Sequence, residues 1–195
     1  MRPARRVGAF VVTALLSAGV AEADGPAPER DPGVLLLGGA VAGPASAGAA
    51  EVLGAAIAGP VAREGRWGVT AELWPVLAWR IQEEGERRIV PASASAVLLG
   101  FDAGRREAAW RIRLEAGAGP MYALDPVPAA GSRWNFLAEA GLRAVPRGGG
   151  LSFGYRFVHV SNGRGPGPDN PGLNLHAVVL VWSPRRAPAG NIAGR

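Results

Sequence analysis

Residues 110–119 read WRIRLEAGAG, and their alternation decides the fold. Trp110, Ile112, Leu114 and Ala116 fall on one side of an extended chain, with Arg111, Arg113, Glu115 and Gly117 on the other. A period of two held over this length is a β-strand whose two faces meet unlike surroundings. The rule extends to both sides. In WNFLAEAGLRAV, residues 134–145, Trp134, Phe136, Ala138, Ala140 and Leu142 oppose Asn135, Glu139 and Arg143, which share their face with Leu137. In RWGVTAELWPVLAWR, residues 66–80, Trp67, Val69, Ala71, Leu73 and Leu77 alternate against Gly68, Thr70, Glu72 and Trp74.

Further segments of the same kind complete a set of eight strands, near residues 34–43, 50–62, 66–79, 92–101, 109–123, 133–145, 151–162 and 173–182. The breaks between them carry turn chemistry: REG, EEGER, DAGRRE, DPVPAAGS and PRGGG. Alternation by itself also fits a soluble barrel or sandwich with a wet outer face, in which the tryptophans would point inward. Three features favour the inverted arrangement, with apolar groups outward into lipid. The apolar faces often begin with Trp, as an interfacial girdle does, and the strands match the roughly 9–11 tilted residues that cross a bilayer. The charged faces mix signs and small residues, so Glu72, Glu115 and Glu139 are available to Arg111, Arg113, Arg143 and Arg156 inside a narrow lumen. The expected fold is therefore all-β, an eight-stranded antiparallel up-and-down transmembrane β-barrel, closed so that no strand edge meets lipid.

The N-terminus fits export to such a membrane. MRPARR is followed by an apolar run of about 14 residues, too short to span a bilayer, and by Ala21-Glu22-Ala23 as a small-x-small cleavage site. The expected organisation is a signal peptide at 1–23, a Pro-rich lead-in at 24–33, the barrel at 34–183 and a polar tail at 184–195. That tail follows Trp182, where many outer-membrane barrels end on an aromatic residue.

Composition removes several function classes. The 195-residue chain has no cysteine and two histidines, which excludes a disulfide framework and argues against a structural zinc site. All 21 basic residues are arginine and the net charge is +5. Loss of the leader takes away Arg2, Arg5, Arg6 and Glu22, leaving +3, too mild and too scattered for nucleic acid. Whether the barrel forms a homo-oligomer in the membrane is left open by the sequence.

Both histidines lie in FGYRFVHVSNGRGPGPDNPGLNLHAVVLVW, residues 153–182. Alternation puts Phe153, Tyr155, Phe157, His159 and Ser161 on the apolar, lipid-facing side, with Gly154, Arg156, Val158, Val160 and Asn162 opposite. Unsatisfied polar groups facing lipid cost several kcal/mol each. An imidazole and a hydroxyl two residues apart on one face can act together, the ring taking the hydroxyl proton as the serine attacks a lipid acyl carbonyl. The plainer alternative is an interfacial rim at headgroup depth.

The run FVHVSNGRGPGPDNPGLNL resembles the lipid A 3-O-deacylase (PagL-like) family, with its His-x-Ser-Asn strand end and polar loop; LEAGAGPMYALD and FLAEAGLR resemble it more loosely. The resemblance implies an outer-membrane serine esterase that hydrolyses the 3-O-linked hydroxyacyl chain of lipid A in lipopolysaccharide. It makes His159 the general base, Ser161 the nucleophile and Asn162 a contributor to the oxyanion site, with no metal or organic cofactor. The family's third member is a glutamate shortly after the loop, where this sequence has Asn174. An amide oxygen can still fix the imidazole tautomer but offers no carboxylate charge, so slower chemistry or none is expected. The neighbouring strand carries Asn174 and His176 on the lipid-facing side. Asp169 in the loop is the other candidate acid, Arg164 gets no assigned contact, and His176 gets no role. A non-catalytic barrel of the same ancestry, structural or lipid-binding, is the alternative reading.

Overall fold

The computed structural model describes residues 33–41, 49–83, 86–105, 108–127, 132–162 and 172–184. The signal peptide and most of the lead-in, the 185–195 tail, Arg164 and Asp169 lie outside the described residues. Eight strands follow one another in chain order: β1 (Gly33–Val41), β2 (Ala49–Glu64), β3 (Trp67–Glu83), β4 (Glu86–Ala103), β5 (Trp110–Ala123), β6 (Trp134–Pro146), β7 (Gly150–Ser161) and β8 (Leu173–Ser183). Each pairs antiparallel with its neighbour. β1 pairs with β8 from Val34↔Trp182 to Val41↔Leu175, which closes the barrel. Every ladder is thereby satisfied within the sheet, the condition for crossing lipid with strands.

The outward alternation is as the sequence pattern requires. Trp110, Ile112 and Leu114 are exposed along β5, as are Trp134, Phe136 and Leu142 on β6 and Phe153 on β7. Aromatic rings meet at both rims. Trp67 packs on Phe101 at 4.8 Å between centroids and Trp110 on Phe153 at 6.0 Å, at the end where β1 starts. Tyr122 meets Trp134 at 4.9 Å at the opposite rim. Sidedness follows from the connections. Three of the four at one end, 42–48, 124–133 and 162–172, are longer than those at 65–66, 104–109 and 147–149 at the other, while the fourth, 84–85, is short. Outer-membrane barrels keep short turns in the periplasm and long loops outside, so β7 ends and β8 begins at the outer leaflet.

The interior has two halves of different chemistry. In the periplasmic half and at mid-barrel, Arg156 is 1% exposed and reaches three carboxylates: Glu72 at 2.8 Å, Glu139 at 2.6 Å and Glu115 at 3.2 Å. Arg143 holds the other oxygen of Glu115 at 2.6 Å. Asp102 gathers Arg63 at 2.7 Å, Arg113 at 2.8 Å and Arg111 at 3.5 Å. The mixed-sign face therefore lines the lumen as expected, with Arg156 bridging β3, β5 and β6 from β7. The outer half is apolar instead, filled by Trp74, Trp79, Met121, Leu137, Val160 and Leu175, all 5% exposed or less.

One part of the alternation reading is overturned. Leu77 was expected beside Leu73 on the lipid face, yet Leu73 is 43% exposed and Leu77 only 2%. The cause is Pro75, which has no N–H to give to a ladder. Between Trp74↔Ala94 and Leu77↔Ala92 the β3 side holds one extra residue, and that bulge reverses the parity of everything after it. Trp74, Leu77, Trp79 and Ile81 are consequently all buried, and Val76 is turned outward at 59%. β3 and β4 also run past the sequence estimate, paired as far as Glu83↔Glu86.

Candidate active site

At the outer end of β7 the chain turns a polar pair toward the lipid. Tyr155, Phe157, His159 and Ser161 share the outward face, and the buried Arg156, Val158 and Val160 point to the lumen. The β7–β8 register then decides which residue meets the ring. His159 pairs directly with Asn174, and Phe157 with His176. His159 Nδ1 lies 2.7 Å from Asn174 Oδ1. An amide oxygen only accepts, so this bond puts the imidazole proton on Nδ1 and leaves Nε2 with a lone pair.

Ser161 lies two residues farther along the same face, about 6.6 Å of strand from His159, and pairs across β6 with Phe136. No hydrogen bond joins His159 to Ser161, and the ring's partner is Asn174. Catalytic contacts of this kind often close only when substrate is bound. The surface beside them is shallow: Ala138 pairs with His159 and Ala140 with Phe157.

Asn162 takes the opposite parity and is buried at 7% exposure, so its side chain is on the lumen side of the wall and not beside Ser161. His176 is likewise separate from His159. Its Nδ1 is hydrogen-bonded to the Tyr155 hydroxyl, and its ring stands edge-on to Phe157 with centroids 5.7 Å apart. That pairing was not visible in the sequence, where Tyr155 and His176 share a face but the cross-strand register that joins them is unknown.

A second residue missed by motif reading is Gly172, just before β8. Its φ is +59, in the left-handed region where an L side chain is strained. A Cβ built there would lie 3.0 Å from Cε1 of His159. The glycine thus lets the end of the polar loop lie against the imidazole edge. Its position in PGLN was the only available signal. Among the described residues no cluster of His, Asp and Glu could hold a metal ion.

With this geometry in place, comparison with known proteins is informative. The family model described as lipid A 3-O-deacylase (PagL) matches residues 59–183, which include the whole of the β7–β8 hairpin. No curated protein matches the chain. Among solved structures, the crystal structure of the outer membrane enzyme PagL superposes with a TM-score of 0.59 at 20% identity, covering 77% of this chain and 98% of that one. At that identity the superposition establishes the shared eight-stranded barrel.

Proposed function

Since the chain belongs to the lipid A 3-O-deacylase (PagL) family and forms a closed outer-membrane barrel, we propose that it is a serine esterase of the outer leaflet. It removes the 3-O-linked hydroxyacyl chain of lipid A. The observation that carries this reading is the His159–Asn174 hydrogen bond, with Ser161 two residues on along the same lipid-facing strand end. Lipid A reaches such a face laterally, from the leaflet that holds it, and an acyl chain can lie over the low Ala138 and Ala140 surface.

In the proposed reaction Ser161 Oγ attacks the ester carbonyl carbon as its proton passes to His159 Nε2. The carbonyl electron pair becomes an oxyanion, for which the Asn162 backbone N–H is a donor. Collapse of the tetrahedral species expels the sugar 3-oxygen, which takes the proton from Nε2. Water, deprotonated by the same nitrogen, then releases the hydroxy fatty acid and restores Ser161. Asn174 Oδ1 holds the Nδ1 proton and so fixes the tautomer throughout. It adds no negative charge to the imidazolium that forms at each step, so turnover is slower than a carboxylate at that position would allow.

The test is mass spectrometry of lipid A from cells making this protein or its Ser161→Ala variant. Loss of one hydroxyacyl chain with the wild type alone is expected. Unchanged lipid A in both, with the barrel folded in the outer membrane, would instead favour a non-catalytic, lipid-binding barrel. Two observations point to that second reading: the third position lacks a carboxylate, and His159 and Ser161 are not hydrogen-bonded to each other.

A further inference from the structure

We propose that Trp134, Tyr122 and Ser93 form a seat for the sugar headgroup of the substrate lipid, a reading that rests on the esterase proposed above. The three stand in one row across the wall: Ser93 on β4 pairs with Tyr122 on β5, and Tyr122 with Trp134 on β6. All three share the outward face, Trp134 at 64% exposure. The two rings meet at 4.9 Å with their planes inclined by 56°, so they form an open corner. Ser161 lies one row nearer the membrane midplane. Its partner on β6 is Phe136, two residues from Trp134 on the same face, which makes Trp134 the diagonal neighbour of Ser161 at about 7–8 Å.

A girdle of interfacial rings runs all the way round a barrel. The periplasmic rim has one: Trp67, Phe101, Trp110, Phe153 and Trp182 are spread over β3, β4, β5, β7 and β8. The outer rim does not. Among the described residues its outward aromatic side chains are Tyr122, Trp134 and Phe136, all on β5 and β6 in the sector next to Ser161, while Tyr155 and Phe157 lie deeper along β7. Of the six tryptophans, two are buried and three belong to the periplasmic rim, which leaves Trp134 at the outer one. Its backbone is also held: Ser132 Oγ donates to the Trp134 carbonyl, and Nδ2 of the buried Asn135 donates to the Ser132 carbonyl at 2.7 Å. The proposed reaction dictates what sits there. With the ester carbon at Ser161 Oγ, the acyl tail runs toward the bilayer interior past Phe157, and the sugar that carries the leaving oxygen projects the other way, into the headgroup layer. The apolar C–H face of a sugar ring suits the electron-rich face of an indole. The Tyr122 and Ser93 hydroxyls stand alongside as hydrogen-bond partners for the sugar's own.

Binding is separated from hydrolysis by measuring it on Ser161→Ala barrels in neutral detergent micelles, titrated with lipid A and, as a lipid without a sugar ring, phosphatidylglycerol. Trp134→Ala in that background should weaken lipid A binding about tenfold, the scale of one aromatic contact, and leave phosphatidylglycerol binding unchanged. Trp134→Phe, which keeps an aromatic face, should restore part of it. Trp67→Ala removes a similarly exposed ring, packed on Phe101 at the periplasmic rim, and should bind lipid A as its parent does. In the active protein Trp134→Ala should raise KM for lipid A with kcat little altered. If lipid A binding depends on Trp134 while the wild type hydrolyses nothing, the seat stands and the esterase reading fails. The proposal is overturned if the Ser161→Ala parent does not bind lipid A, or if Trp134→Ala, shown to be folded by heat-modifiable mobility, binds it as tightly as the parent. Equal weakening toward both lipids also overturns it, since Trp134 would then be an interfacial anchor only.

Discussion

At the scale of single residues, the proposed chemistry turns on what meets the imidazole of His159. Asn174 occupies the position from which a carboxylate would both orient the ring and stabilise its charged form, and it supplies only the first. Asn174→Asp keeps the side-chain length and an acceptor oxygen, so on the proposed mechanism it should raise the deacylation rate tenfold or more, about 1.4 kcal/mol of transition-state stabilisation per tenfold. Kinetics on purified lipid A would measure it, and an unchanged or lower rate would count against His159 becoming cationic during turnover. Gly172 makes a separate demand. Gly172→Ala places a Cβ about 3.0 Å from the ring on a backbone that disfavours it. Activity should fall severalfold while the barrel still assembles, as read by heat-modifiable gel mobility. The motif residues were legible in the sequence because His159 and Ser161 are close along the chain. Gly172 and the Tyr155–His176 pair were not, since their meanings depend on which strand lies alongside.

At the scale of elements, alternation is reliable only while a strand keeps its ladder. β5, β6 and β7 do so, and every aromatic on their apolar faces lies outward. β3 loses it at Pro75, where one uncounted residue carries Leu77 from the expected lipid face into the core. The chain has no cysteine, so single-cysteine spin labels can check this directly. A label at Val76 should show fast relaxation by lipid-dissolved oxygen, and one at Leu77 should not. Equal exposure at both would mean that the bulge is absent. Proline marked the place in advance, but not whether the strand would bulge or end there. That is settled by β4, whose continuing partners make the longer strand worth its irregularity.

At the scale of the whole molecule, the Arg156 cluster ties four strands across the lumen. Its members are 84, 41 and 17 residues distant from it in the chain. Removal of one buried partner leaves charges uncompensated in a medium that cannot hydrate them. Arg156→Met should therefore cost about 3–5 kcal/mol, seen as a lower urea midpoint in unfolding of the micelle-bound barrel. Added Glu72→Gln and Glu139→Gln changes should recover much of it, because the defect lies in the unpaired carboxylates and not in lost volume. By itself the sequence determined the class of fold, eight strands closed in a membrane, because period-two alternation is a local property that lipid and lumen each read from one face. It also singled out the His-x-Ser strand end. Tertiary structure decided which groups meet: that His159 pairs with Asn174, that one arginine serves three carboxylates, and that the outer lumen is apolar. Those outcomes rest on register and closure, and both are set by contacts between strands that the order of residues along one strand does not contain.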